Sequence, residues 1–197
     1  MSILTTPLKE TIEVAGQDYP VRTDFRVWLE FEEILNTDVP LPEKILKIIL
    51  LCIPSGEDRK LPPTMEELFE GLSKFYTAGF YKKNEQKKKN DNTKSVMTFS
   101  FEYDAEYVYA AFLAQYGIDL IEIPYLHWHK FLALFRGLEE KNRIMQIIGY
   151  RSIDLSEISD KKQRKMYSEL KDAYSLPDNR SQEEKDSDFA RRLYMGF

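Results

Sequence analysis

The chain has 197 residues, of which 28 are basic and 33 acidic, giving a formal net charge of −5 and a pI of about 5.3. This balance argues against a general nucleic-acid-binding protein, which is usually basic. A hydrophobic content of 43% is enough to fill a core. The N-terminus lacks a basic start followed by a long apolar run, and no apolar run approaches the roughly 20 residues that span a bilayer. We therefore expect a cytoplasmic protein without a membrane partner.

Composition and periodicity predict a mainly α (α+β) fold, a compact multi-helix domain with a small N-terminal β-hairpin. The hairpin strands are predicted at Thr11–Val14 and Tyr19–Val21, around a turn-like Ala-Gly-Gln-Asp. Four segments are expected in chain order: residues 1–81 with the hairpin and helices, 82–95 as a flexible basic linker or exposed loop, 96–176 as a helical core region, and 177–197 as a C-terminal amphipathic helix or tail.

Apolar residues that recur every three or four positions predict the helices. Thr64 and Glu67 form a capping box, a pattern typical of a helix start. Cys52 lies in an apolar run and is predicted to be buried; as the single cysteine it cannot form an internal disulfide. The predicted helices span 24–35, 42–53, 64 to Gly79, a central helix ending near Tyr116, 125–136, 140–148, 155–173 and 181–197.

The composition changes abruptly at residues 82–94, which contain no apolar side chain. This segment contains six lysines, and its only acidic residues are Glu85 and Asp91. Such a segment cannot bury enough surface to offset the entropy of ordering it, so we expect a linker or loop. A basic patch for nucleic acid is the alternative, which the lack of arginine and of interleaved aromatic residues disfavours.

The stretch from Phe99 to Leu138 is predicted to be the organising centre of the fold. Eight consecutive residues, Tyr107 to Ala114, are apolar or aromatic. A helix that is apolar nearly all round must be buried on more than one side, so the neighbouring segments should pack around it. Two flanking pieces have weaker patterns: Val96–Phe101 as a short strand or helix lead-in, and Ile118–Ile123 as an extended link.

No motif predicts catalysis. His127 and His129 stand two positions apart, and on a helix their side chains would point about 200° apart, too far to share one metal ion. Carboxylates at Asp104, Glu106 and Asp119 fit helix-terminal and turn positions better than acid–base work. Glycine-rich phosphate loops, nucleophile elbows and zinc-protease motifs are absent from the sequence. Four tyrosines are predicted to pack in the core: Tyr103, Tyr107, Tyr109 and Tyr116. The alternative is that they form a platform on which nucleic-acid bases stack. We predict no catalytic, cofactor or metal site, and hence no enzyme.

Four stretches resemble a family of small proteins encoded in the tail modules of phages and prophages of Gram-positive bacteria. They are YPVRTDFRVWLEFEEIL (19–35), YDAEYVYAAFLAQYGIDL (103–120), LHWHKFLALFRGL (126–138) and IMQIIGYR (144–151). The resemblance covers most of residues 10–176. None of these stretches is a catalytic signature.

The resemblance implies a tail assembly chaperone, which keeps the helical tape measure protein soluble until tail tube subunits replace it. It implies a helical protein with an apolar binding surface that self-associates into oligomers or a spiral. Such a protein would act in the host cytoplasm and be absent from the mature virion. The alternative is a structural or adaptor component of the tail that is retained in the virion.

Candidate partner-binding residues follow from the sequence pattern and not from the family. Apolar residues spaced every four positions make 181–197 an amphipathic helix, which either packs on the body or enters a groove on a partner. The candidates are Phe189, Leu193, Tyr194 and Phe197 of this helix, together with Tyr109 of the central helix.

Overall fold

The computed structural model describes residues 5–54, 64–77 and 98–177. These residues form seven α-helices and one two-stranded antiparallel hairpin, which confirms the predicted mainly α fold with an N-terminal hairpin. The predicted linker 82–95 and the predicted helix 181–197 lie outside the described residues. The helices are α1 (Phe25–Asn36), α2 (Leu41–Cys52), α3 (Met65–Tyr76), α4 (Ala105–Tyr116), α5 (Trp128–Arg136), α6 (Arg143–Ser152) and α7 (Lys161–Ala173).

The hairpin pairs β1 (Thr11–Val14) with β2 (Gln17–Pro20) around a two-residue turn. Ala15 and Gly16 both have positive φ, 50° and 76°, the backbone that lets a two-residue turn match the twist of its strands. The predicted second strand was therefore placed too late, because Gln17 and Asp18 belong to the ladder and not to the turn.

Helix α3 lies against the hairpin at a glycine. A Cβ placed on Gly71 would approach Val14 Cγ2 to 3.0 Å and Ile12 Cδ1 to 3.2 Å. Ile12 and Val14 occupy alternate positions of β1 and are both 3% exposed, so they form the buried face of the strand. Gly71 thus lets helix and strand approach more closely than any other residue would allow.

Aromatic rings from three helices make the centre of the core. Trp28 stacks on Phe75 with ring centroids 4.6 Å apart, and Trp128 stacks on Phe131 at 5.6 Å. Both indoles are fully buried, and each N–H donates to a backbone carbonyl, that of Arg22 at 2.9 Å and that of Tyr76 at 2.8 Å. The indoles are thus buried without an unsatisfied donor.

The chain divides into two compact units. Among the described residues, the first comprises 5–54, 64–77 and 101–146, and the second comprises 98–100 and 147–177. In the second unit the buried Arg151 donates to the carbonyl oxygens of Tyr174 at 2.5 Å and Thr98 at 3.3 Å. A cation held by carbonyl oxygens fixes the segment at Thr98 and the end of α7 around one side chain.

Three predicted elements differ from the structure. Helix α6 continues through Gly149, because a single glycine weakens a helix but does not end it. The predicted helix 155–173 is a 3₁₀ turn at Leu155–Glu157, capped by Asp154, followed by α7, which has its own cap, Asp160. Ile118–Ile123 is a turn, not an extended link, since the Ile123 amide donates to the Asp119 carbonyl at 2.9 Å. Among residues 98–101 no strand forms.

The central helix α4 is less buried than its composition predicts. Val108, Ala111 and Phe112 face the core, whereas Leu113 is 44% exposed. The expectation that this helix is buried on more than one side is therefore wrong. Gly117 does end the helix as predicted, with a left-handed φ of 65°.

Gly71 and Gly149 offer a matched test of the helix–strand contact. Alanine in a helix interior is favoured over glycine by about 0.5–1 kcal/mol. Gly149→Ala should realise this gain, because nothing lies within 4 Å of its added Cβ. Gly71→Ala should lose the gain or become destabilising, since Val14 and Ile12 must move. Urea denaturation measures both; an equal gain at the two positions would contradict the contact.

Candidate partner-binding site

Helices α1 and α5 begin side by side at two caps that face each other. Asp24, the cap of α1, and His127, the cap of α5, form an isolated antiparallel β-bridge. The Phe25 amide donates to the Leu126 carbonyl at 2.9 Å, and the Trp128 amide donates to the Thr23 carbonyl at 2.7 Å. Each helix therefore uses the residues before the other helix to satisfy one of its free N-terminal donors.

The Asp24 carboxylate accepts hydrogen bonds from two backbone amides and from the Arg26 side chain. Its Oδ1 accepts from the Arg26 amide at 3.0 Å, its Oδ2 accepts from the Leu126 amide at 3.3 Å, and both oxygens lie 3.3 Å from Arg26 Nη1. The carboxylate thus caps α1 and holds the start of α5 at once.

Arg26 extends this arrangement to the turn between α4 and α5. Its Nη2 donates to the carbonyl oxygens of Ile123 at 2.7 Å, Leu120 at 2.9 Å and Ile121 at 3.4 Å. Its guanidinium carbon lies 4.6 Å from the centroid of the Phe25 ring. One arginine on α1 therefore fixes the turn at 120–123.

Asp119 stabilises the same turn from within. Its Oδ1 accepts from the amides of Ile121 at 2.9 Å and Glu122 at 3.2 Å, and its Oδ2 accepts from the Tyr109 hydroxyl at 3.1 Å. The two amide hydrogen bonds lower the pKa of Asp119, so this carboxylate is charged at neutral pH. The hydrogen bond to Asp119 raises the pKa of Tyr109, which keeps its proton.

These elements enclose an apolar pocket of about 410 Å³, which we call the α1–α4 pocket. This volume lies in the range of about 300–1,000 Å³ typical of ligand pockets. Buried rings of Phe25, Phe101 and Phe131 line it, while Ala105 and Ile121 are exposed at its mouth. The other lining residues are Leu29, Glu106, Val108, Tyr109 and Leu120.

Three acidic groups lie in or near the pocket wall formed by α4 and the turn that follows it. Glu106 lies in its wall, and Asp119 and Glu122 act electrostatically on the wall residue Tyr109. The positive charge of Arg26 is directed to Asp24 and to the three turn carbonyls. An apolar floor beneath an acidic rim suits an apolar side chain that is flanked by cations.

Of the predicted partner-binding residues, only Tyr109 is described, and it is half-buried in the wall of this pocket. The other candidates, Phe189, Leu193, Tyr194 and Phe197, lie outside the described residues. The sequence does not predict the pocket itself, because its walls come from segments far apart in the chain. One usable signal was the spacing of Ala105, Val108 and Tyr109, which places a small residue on the same helix face as two larger ones.

The two histidines lie closer together than their spacing predicts. His127 precedes α5 as its cap, so the angular argument for two helical residues fails, and the ring centroids are 5.1 Å apart. His127 Nδ1 accepts from the His129 amide, and its Nε2 donates to the Lys9 carbonyl at 3.1 Å. His129 Nε2 donates to the Phe75 carbonyl at 2.8 Å. Both rings thus act as structural hydrogen-bonding groups.

The remaining candidates for chemistry occupy structural positions. Cys52 is fully buried, as predicted, and burial raises the pKa of its thiol to about 12, so it is not a nucleophile. Glu106 lies in the first turn of α4 and Asp119 in the turn after it. Within the described ranges, no three histidine, cysteine, aspartate or glutamate side chains are arranged to hold a metal ion. The four tyrosines are half-buried or exposed, not core residues.

A second apolar surface lies on the outer side of α2. Leu46 and Leu50, one helical turn apart, are 56% and 52% exposed. Leu41 at the start of the helix is 65% exposed, and Leu35 of α1 is 38% exposed. None of these four leucines lines the α1–α4 pocket.

Fold and site define a mainly helical protein with an open apolar pocket. A family model described as Bacteriophage Gp15 protein matches residues 4–176. Because this match covers most of the chain, the chain belongs to the bacteriophage Gp15 protein family. Searches of curated proteins and of solved structures gave no match. In the part of the chain that the structure describes, none of the helices has the length and hydropathy needed to cross a membrane.

The hydrogen bonds of Arg26 predict how the pocket wall responds to a mutation. Arg26→Met should remove the hydrogen bonds that hold the turn at 120–123. The free energy of local opening should fall by about 1 kcal/mol, so amide exchange in the turn should become roughly fivefold faster. Hydrogen exchange at Ile121 and Ile123 measures this. Arg22→Met is the control. It removes an arginine that donates to the Leu51 carbonyl at 3.1 Å, near the C-terminal end of α2, and not to the turn at 120–123. Equal exchange in both variants would contradict the role of Arg26.

The histidines predict a loss of stability in mild acid. Burial lowers the pKa of His127 and His129, and their hydrogen bonds to the Lys9 and Phe75 carbonyls oppose the shift. Lys130 lowers the pKa of His127 further and Glu10 opposes this, while Arg136 lowers the pKa of His129. The unfolded chain therefore binds more protons than the folded chain below a pH of about 6.5, and stability falls as the pH drops. His129→Gln, which keeps a donor for the Phe75 carbonyl, should flatten this dependence.

Glu32 supplies a control of opposite sign. Burial raises its pKa despite the hydrogen bond from the Tyr76 hydroxyl, so its contribution to stability is lost as the pH rises through its folded pKa. Glu32→Gln should therefore steepen the acid loss that His129→Gln flattens. Urea midpoints between pH of about 5 and about 7.5 compare the two variants. Parallel profiles for wild type and His129→Gln would refute the role of the histidine.

Proposed function

We propose that this protein is a tail assembly chaperone of a siphophage of Gram-positive bacteria. It binds the tape measure protein and keeps it soluble during tail assembly, without enzymatic chemistry. It acts in the host cytoplasm and is absent from the mature virion. The proposal is supported by membership of a bacteriophage protein family together with the resemblance of four stretches to tail-module proteins.

The single observation that carries the proposal is the α1–α4 pocket. A tape measure protein exposes long amphipathic helices that aggregate when they are alone in water. A partner that receives apolar side chains in a concave site shields such helices by helix-in-groove contacts. Phe25, Phe101 and Phe131 give the pocket an apolar floor, and its mouth is open to an incoming side chain.

Release is the second requirement of a chaperone, and a small site meets it. One pocket of about 410 Å³ holds only a small part of a long helix. Contacts of this size give moderate affinity for each copy, so that tail tube subunits are able to displace them. Many copies along one tape measure protein would provide solubility that no single contact supplies.

Co-expression with the tape measure protein encoded next to it tests the proposal. The expected result is a soluble complex with several copies of this chain on each tape measure protein, measured by size-exclusion chromatography with light scattering. The tape measure protein expressed alone is the control, and it should be insoluble. The same light scattering on the chain alone reports whether it self-associates.

Two results would overturn the chaperone assignment. The first is a tape measure protein that stays insoluble beside a soluble, unbound chain. The second is recovery of this chain in stoichiometric amount from purified virions, which would make it a structural or adaptor component of the tail.

A further inference from the structure

We infer that the α1–α4 pocket binds one large apolar side chain of an amphipathic helix, and that this helix carries lysine or arginine one turn away on either side of the apolar residue. The inference deepens the proposed function by specifying which segments of the tape measure protein are bound. It rests on that function only for the identity of the partner. The chemistry of the bound helix follows from the pocket.

The size and lining of the pocket define the apolar anchor. Its volume of about 410 Å³ exceeds the roughly 150 Å³ of a cavity that accepts a benzene ring. The floor is made by Phe25, Phe101 and Phe131, which offer ring surface and no hydrogen-bonding group. A polar side chain would lose its water there without replacement, whereas an aromatic or branched aliphatic side chain fits.

The structure of the mouth favours a helix over an extended peptide. An extended peptide binds by adding backbone hydrogen bonds to a free edge. At this mouth the amides of Ile121 and Glu122 donate to Asp119 Oδ1, and the amide of Ile123 donates to its carbonyl. With these donors engaged, the turn presents side chains to its partner, as a groove for a helix does.

The rim defines the charge of the helix. Glu106, Asp119 and Glu122 lie on or beside the pocket wall. The pKa of Asp119 is lowered by its amide hydrogen bonds, so the rim is negative at neutral pH. Arg26, which holds the turn at 120–123, donates to Asp24 and to the carbonyl oxygens of the turn. Cations beside the apolar anchor would face this rim, and carboxylates there would be repelled.

Designed helical peptides test the inference directly. Each is an alanine-based helix of about 20 residues, long enough to be helical, with a single phenylalanine anchor. One peptide carries lysines three and four positions from the anchor, a second carries glutamates there, and a third has lysines but no anchor. Fluorescence anisotropy gives the dissociation constants with the full-length chain.

We expect the lysine peptide with the anchor to bind about tenfold or more tightly than the other two. Its affinity should fall between about 0.05 M and about 0.3 M salt, because charges exposed at the rim are screened. Equal binding of the lysine and glutamate peptides would overturn the role of the rim. Equal binding with and without the anchor would overturn the role of the pocket.

Two variants on α4 locate the binding site. Ala105→Trp places a bulky ring at the mouth of the pocket, from an exposed position that leaves the core intact. Ala114→Trp puts the same ring on the opposite, exposed side of the helix. We expect Ala105→Trp to weaken the lysine peptide about tenfold or more and Ala114→Trp to leave it unchanged. Equal affinities would refute the pocket as the site.

Charge reversal provides a second route if the tryptophan variant folds poorly. Glu106→Lys combined with Glu122→Lys should reverse the preference, so that the glutamate peptide binds more tightly. Glu13→Lys, on an exposed strand position, is the control for a charge reversal outside the pocket lining and should retain the original preference. If the chain alone forms a dimer that Ala105→Trp dissociates and Ala114→Trp does not, a second copy occupies the pocket and the inference fails.

The two proposals fail in different ways. If wild-type protein binds the lysine peptide but leaves the tape measure protein insoluble, the chaperone function is wrong and the pocket assignment stands. If Ala105→Trp solubilises the tape measure protein as well as wild type does, the function stands and the pocket assignment is wrong.

Discussion

The first structural unit depends on the fixed pairing of two helix starts. Asp24 and His127 are each the cap of one helix and are bridged to each other. This pairing sets the axial positions of α1 and α5, and it brings Phe25 over Phe131 with centroids 4.9 Å apart and planes 12° apart. Phe131 also stacks on Phe112 of α4 at 5.0 Å, so a third helix takes its position from the same ring. Polar groups at the helix starts thus determine which apolar surfaces meet.

The candidate site is a by-product of that pairing. The short distance between the two helix starts brings Arg26 within reach of the carbonyl oxygens at 120–123. That turn becomes one wall of the pocket, and the phenylalanines of the core become its floor. Because fold and site share Asp24 and Arg26, mutations there should disturb binding and stability together. Ala105 lines the pocket from an exposed position, so its substitution should change binding with little effect on stability.

How much of this the sequence predicts depends on how local each signal is. Thr64 accepts from the Glu67 amide at 3.2 Å, as the capping pattern predicts, and Gly117 ends α4, because both features involve neighbours in the chain. The apolar run in α4 misled, since a helix apolar on all sides carries no information about which side is buried. The pocket was beyond sequence reasoning, because Leu29 and Leu120 meet only after α1 and α5 have paired.

The burial of both tryptophans determines which process the intrinsic fluorescence of this protein follows. Trp28 and Trp128 are 0% and 1% exposed, and each indole donates to a backbone carbonyl. Neither lines the α1–α4 pocket. Their emission should therefore be that of shielded indoles and should shift to longer wavelength only when the core opens to water. The emission of these indoles would therefore follow the opening of the core, and binding is measured separately through a label on the partner.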